Sequence, residues 1–239
     1  MDQVFEFVDE RQKGHCIHCG VYLDATNMSR DHVPSKCLLR PPYPKQLPAV
    51  EVCKSCNQGF SRDEEYLVAF LGCVIAGSSD PSKQVIPSAA RVLQRNEKLR
   101  AQIDRSKREY KTVSGESRCA WYPEAERVNR VLLKNARGHA LFEYGEPIRE
   151  EPKHVWSLPL QSLTSQHRAH FENNNSGGLA AWPEVGSRMM TRVISGQDMV
   201  GSWVVVQDGV YRYSVEQQGR LLVKSVLLEY LATEVYWER

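Results

Sequence analysis

Four cysteines, an aspartate–histidine pair and one asparagine are the residues of this chain whose types and spacing can do chemistry. The cysteines stand as Cys16-Ile17-His18-Cys19 and Cys53-Lys54-Ser55-Cys56, two Cys-x-x-Cys turns with 33 residues between them. Each such turn aims two sulfurs at one point, and two of them supply the four thiolates of a closed tetrahedral zinc site. Gly20, directly after Cys19, suits a turn with a positive backbone dihedral. Between the two turns lies Arg30-Asp31-His32-Val33-Pro34, and Asn57 directly follows Cys56. A carboxylate and an amide offer oxygens to a hard divalent cation, while an imidazole titrates near neutrality and can take a proton from water. His15 and His18 lie close enough to compete as zinc ligands, but four sulfurs already close the shell, which leaves both as surface residues.

The elements around these residues must bring them together. Val21 to Leu23 suit a short strand, Thr26 to Ser29 a polar turn, and Arg30 to His32 the entry to a second extended piece, because Pro34 holds Val33 out of the helical region. Neighbours on a strand point opposite ways, so Asp31 and His32 reach a common point only where the backbone bends. After the second cysteine turn, Tyr66, Leu67, Phe70, Leu71 and Val74 recur at helical spacing. Ser61-x-x-Glu64 reads as a capping box, which places a helix start or a bend near residue 62. Zinc would pin that helix beside the strand of Asp31 and His32 and gather both with Asn57 in one small volume. The acidic run Asp63-Glu64-Glu65 is better explained by attraction to a helix N-terminus than by a second metal.

Taken together, Cys16-x-x-Cys19, Asp31-His32-x-Pro34 and Cys53-x-x-Cys56-Asn57 resemble the zinc-stapled, four-cysteine branch of the HNH, or ββα-metal, endonucleases, including the phage recombination endonucleases that cut branched DNA. The resemblance covers about residues 14–76. It implies an α+β fold that opens with a zinc-stapled ββα-metal (treble-clef-like) nuclease module. It also implies structural Zn2+ on Cys16, Cys19, Cys53 and Cys56, and Mg2+ or another divalent cation on Asp31 and Asn57. His32 would be the general base in phosphodiester hydrolysis, with DNA as substrate. The chain departs from the family in two places. Many members carry an asparagine before the second cysteine turn that orients the base histidine, whereas the nearest amide here is Gln46; and Asn57 stands where many have histidine. Two alternatives therefore stay open: a catalytically degenerate zinc module that binds nucleic acid or a protein partner, and a toxin or antiphage nuclease effector regulated by a partner.

At 239 residues the chain can bury a sizeable core in one domain or two small ones. Charged residues are 25% and hydrophobic residues 41%, which places it in the globular class. A net charge of +2 is too weak to indicate a nucleic-acid partner, so local clustering must carry that argument. The longest apolar run, Leu67 to Ala76, is far too short for a membrane span, and no basic start with an apolar core opens the chain. With seven cysteines, an odd number, the expectation is reduced thiols in the cytoplasm and no membrane partner. Cys37, Cys73 and Cys119 then read as small packed residues.

The linear pattern divides the chain into a nuclease module at 1–76, a linker and basic helix at 77–110, and an α+β region at 111–239. This last region would contact substrate, a protein partner or a second copy. Ser88 to Tyr110 reads as one helix with seven basic residues against three acidic ones. Arg91, Arg95 and Lys98, with Arg30 on the earlier strand, are candidate phosphate contacts, and a solvated packing helix is the equal alternative. Lys111 to Cys119 is a polar connection, Pro123 to Arg137 a helix closed by Gly138, and Leu160 to Phe171 a short helix with His167 and His170 at its surface. Asn173 to Gly178 is a loop. A C-terminal antiparallel β meander follows: Trp203 to Val206, Val210 to Val215 and Leu221 to Leu228 are rich in strand formers. Asp208-Gly209 and Gln218-Gly219 turn between them. Tyr230 to Trp237 extends the last strand or forms a helix, and the aromatics Trp203, Tyr211 and Tyr213 read as core before base-stacking surface.

Overall fold

The computed structural model describes residues 14–173, 183–217 and 220–238; the lead-in before residue 14, the loop at 174–178 and the turn at 218–219 lie outside the described residues. In chain order the elements are β1 (Met28–His32), β2 (Ala49–Cys53), α1 (Lys54–Ala76), α2 (Pro87–Arg95), α3 (Glu97–Arg105), β3 (Lys107–Lys111), β4 (Ser117–Trp121) and α4 (Ala125–Tyr144). They continue with β5 (His154–Pro159), α5 (Ser165–Glu172), α6 (Arg188–Ser195), β6 (Met199–Val200), β7 (Trp203–Gln207), β8 (Tyr211–Gln217), β9 (Arg220–Leu227) and β10 (Leu231–Glu238). The class is α+β. No helix among the described residues is long and apolar enough to cross a membrane. Two compact units divide the chain, Met1–Gly59 with Leu132–Arg239 and Phe60–Val131, so that the boundaries fall inside α1 and α4.

In the first unit β1 pairs antiparallel with β2, with Met28 opposite Cys53, Asp31 opposite Val50 and His32 opposite Ala49. Cross-strand partners share a face, so Asp31 lies on the face of the buried Val50, with Ser29 and the buried Val52 beside them. Ile17, Leu23, Val33, Val50, Val52 and Leu141 close the core around this hairpin. The helix that the sequence ends at Gly138 continues to Tyr144. Its glycine serves contact instead of termination: a Cβ at Gly138 would meet Val33 Cγ2 at 2.5 Å, so only glycine lets α4 lie against the residue after His32.

The C-terminal half of this unit is a six-stranded antiparallel sheet in the order β5-β10-β9-β8-β7-β6, the expected meander with β5 added along β10. Asp208-Gly209 turns as read, with Gly209 at φ +65, and the open case at Tyr230 to Trp237 resolves as strand β10. Trp203, Tyr211, Tyr213 and Trp237 are buried, the core reading of these aromatics. The expected helix at Leu160 to Phe171 is a 3-10 turn at Leu160–Ser162 followed by α5, with Thr164 capping the His167 N–H and both His167 and His170 exposed.

In the second unit the single basic helix expected from Ser88 to Tyr110 is two helices and a strand. Asn96 ends α2, and its side chain caps α3 by accepting the Leu99 N–H at 3.1 Å, a local hydrogen bond that competes with helix continuation. Lys107 to Lys111 then forms β3, which pairs with β4 as a hairpin turned by Gly115 at φ +84, so the expected polar connection at 111–119 is the hairpin's turn with a strand at each end. Here α1 and α2 cross closely at Gly72, where a Cβ would meet that of Ala89 at 2.4 Å.

Candidate functional site

The first cysteine turn closes on itself: Gly20 sits at φ +74 and donates its N–H to the Cys16 carbonyl at 2.8 Å, while the Cys16 N–H reaches the Val21 carbonyl at 2.9 Å. The second turn is the junction of β2 and α1. Cys53 is the last strand residue, and its sulfur accepts the Cys56 N–H at 3.3 Å, the role a polar side chain takes at a helix start. For that reason α1 begins at Lys54 and runs unbroken past residue 62, leaving Ser61 in its interior instead of at a cap.

The Sγ atoms of Cys16, Cys19, Cys53 and Cys56 all lie within 4.8 Å of one another, and those of Cys19 and Cys53 are 3.7 Å apart. Sulfurs bound tetrahedrally to zinc at ~2.3 Å sit about 3.8 Å apart, so the four cysteines can hold a metal ion such as zinc. Burial, then the sulfurs of Cys53, Cys16 and Cys19, pushes the Cys56 thiol up. Four thiols packed this closely resist ionising together, and a dication among them removes that penalty. Neither histidine joins the cluster: His15 is exposed with its ring edge against Tyr22, and His18 is half-buried, which with Arg137 and Lys134 nearby lowers its pKa to about 3. Of the other cysteines Cys73 is buried and Cys37 half-buried, but Cys119 is exposed on β4 instead of packed.

One turn into α1, Asn57 donates its amide to the Ser29 hydroxyl at 2.8 Å and to the Arg30 carbonyl at 3.4 Å. This amide thus fastens the helix start to β1, while the four cysteines bring the first cysteine turn to the same helix start. Arg30 is exposed on that strand, and His32 ends it half-buried. Burial first, then Lys36 and Lys134, holds the imidazole below its usual pKa and therefore neutral at pH 7. Gln46 lies on an exposed turn before β2, and among the described residues no hydrogen bond joins it to His32.

Asp31 is 7% exposed, and its Oδ2 lies 2.9 Å from the ammonium of Lys134, itself buried on α4. Lys134 also donates to the Ser35 hydroxyl at 2.9 Å, and the Ser35 N–H donates to the Asn135 side chain at 2.9 Å. Two consecutive α4 residues therefore grip the segment that follows His32. The sequence held a signal for this that motif reading passed over. Val131, Lys134, Asn135, Gly138 and Leu141 recur at three- and four-residue steps, and a lysine on a stripe that must be buried needs a buried partner. As oxygen donors Asp31 and Asn57 suit a hard cation, but the carboxylate is already engaged. Unit charges 4 Å apart repel by about 4 kcal/mol at an effective dielectric near 20, and a dication doubles that, so ammonium and dication are alternatives at Asp31.

In the second unit Asp63 meets Arg127 at 2.7 Å and Arg130 at 2.9 Å, and Glu65 pairs with Arg95. The acidic run lies near the third turn of α1, so arginines, and not the helix N-terminus, account for it. Arg91, Arg95 and Lys98 are exposed but split between α2 and α3. Sequence reading missed the exposed β3–β4 hairpin, whose Arg108, Tyr110 and Arg118 share one face by register. No family model, curated protein or solved structure matches this chain.

Proposed function

We propose that this chain is an HNH-type endonuclease that hydrolyses phosphodiester bonds in DNA, with His32 as general base. The observation that carries the reading is the junction of the first cysteine turn, β2 and α1 at four convergent sulfurs, with Asn57 hydrogen-bonded to the strand bearing Asp31 and His32. Zn2+ on Cys16, Cys19, Cys53 and Cys56 fixes that junction, and a reducing compartment, the cytoplasm, keeps the thiols available to it. The half-buried, neutral His32 takes the proton of the attacking water. With the Lys134 ammonium off Asp31, that carboxylate and Asn57 would hold a divalent cation such as Mg2+, which would supply positive charge against the scissile phosphate. Arg30 contacts phosphate, and Arg91, Arg95 and Lys98 are separate nucleic-acid contacts in the second unit.

The test is cleavage of supercoiled plasmid with Mg2+ or Mn2+ by the wild type and by His32→Ala. The expected loss in the variant is at least ~100-fold, the range of a positioned base. A wild type that binds DNA without cutting it overturns the enzyme reading. It favours instead a zinc module that binds nucleic acid or a protein, a reading supported by the grip of Lys134 on Asp31 and the exposed position of Gln46.

A further inference from the structure

We propose that Lys134 is a built-in competitor for the cation at Asp31, so that the affinity of the centre for a divalent ion depends on whether this ammonium sits on the carboxylate. The inference rests on the reading of Asp31 as a cation ligand, and it names the residue that controls that ligand.

The lysine is delivered by construction. Gly138 admits Val33 against α4, and one turn earlier Asn135 accepts the Ser35 N–H, so the strand end and the helix are locked side by side. Lys134, next to Asn135, then lies 2.9 Å from both Asp31 Oδ2 and Ser35 Oγ, with its side chain only 3% exposed. A carboxylate in contact with an ammonium is already neutralised. With water largely excluded, a dication brought to the same carboxylate would meet the ammonium charge with little screening. Occupancy by the cation therefore requires the ammonium to withdraw, and its four-carbon stem supplies the rotatable bonds for that. By linkage, whatever weakens the Lys134–Asp31 pair must strengthen cation binding by the same factor.

The experiment is a titration of the full-length, zinc-loaded chain with Mn2+, reading free ion by its paramagnetic resonance, for wild type, Lys134→Met, Asp31→Asn and the double variant. Circular dichroism and zinc content report folding. Lys134→Met is expected to bind Mn2+ at least ~10-fold more tightly than wild type, within the usual span of coupling between sites, and Asp31→Asn is expected to abolish the gain. Asp31→Asn alone is expected to weaken Mn2+ binding further, because the ion held by wild type reaches the Asp31 carboxylate by displacing the ammonium. Equal affinity in wild type and Lys134→Met overturns the proposal. So does equal affinity in wild type and Lys134→Gln, a variant that keeps a donor to Ser35 without the charge and decides the matter if Lys134→Met does not fold. A chain that binds Mn2+ as expected yet never cuts DNA sinks the nuclease reading alone, whereas one that cuts but binds Mn2+ equally with lysine or methionine at 134 sinks this proposal alone.

Discussion

Lys134 and Asp31 form a buried ion pair, 2.9 Å from Nζ to Oδ2, between a helix and a strand separated by about a hundred residues of chain. The pair joins the strand of the candidate site to the body of the first unit. Removing one member leaves an uncompensated charge, so Lys134→Met is expected to lower stability by about 3–5 kcal/mol, whereas the neutral pair Asp31→Asn with Lys134→Met recovers most of that loss. Urea unfolding of the four proteins of this cycle measures the coupling; a single variant no worse than the double shows the pair to be energetically idle.

Val33 occupies the space that any side chain at Gly138 would need. Gly138→Ala gains helix propensity but forces the strand end away from α4. The overpacking is expected to dominate, with a net loss of roughly 1–3 kcal/mol. Thermal unfolding checks the sign: a raised midpoint would mean that Val33 can yield without loss.

Four thiols within metal-binding distance tie the first cysteine turn to the start of α1. Cys53→Ser removes both a ligand and the acceptor of the Cys56 N–H, and it is expected to release the metal and expose the hairpin core of Val50 and Val52. Zinc analysis with hydrogen exchange tests this; one equivalent of zinc and unchanged protection of β1 and β2 would contradict it.

Glu172 at the end of α5 receives two hydrogen bonds from Arg212, at 2.7 and 3.0 Å, and these hold its carboxyl below the usual range. A depressed carboxylate pKa contributes stability that is complete above the unfolded value near 4.5 and is lost as pH falls through the folded value. Arg212→Ala is therefore expected to destabilise by about 2 kcal/mol at neutral pH and by less in acid. Stability measured from pH 7 downward should show the two proteins converging, and a constant gap would assign the loss to packing against Trp203, over which the guanidinium lies.

The proposed nucleic-acid contact in the second unit has two candidates, the helical cations and the β3–β4 hairpin. Reversing Arg91, Arg95 and Lys98 to glutamate is expected to weaken DNA binding and to lower the salt slope by about three if all three meet phosphate. Arg108→Glu with Arg118→Glu does the same for the hairpin. Whichever set leaves both affinity and slope unchanged is scaffold.

How much of this was legible in the chain follows from the range of the forces involved. The cysteine turns, the strand before Pro34, the helix after Cys56 and the hairpin at Asp208-Gly209 are set by spacing and by local backbone preference, which a sequence carries openly. The two cysteine pairs even announced a contact across 33 residues, because thiolates at metal-ligand spacing have few other uses. Asn96, Gly138 and Lys134 were different. A capping asparagine inside a helical pattern, a glycine kept for a neighbour's methyl groups and a lysine on a buried stripe each acquire meaning only from a partner that tertiary packing supplies. Local pattern named the residues that could do chemistry, and the docking of α4 on β1 decided which of them are free to do it, because burial and ion pairing depend on what the fold brings alongside.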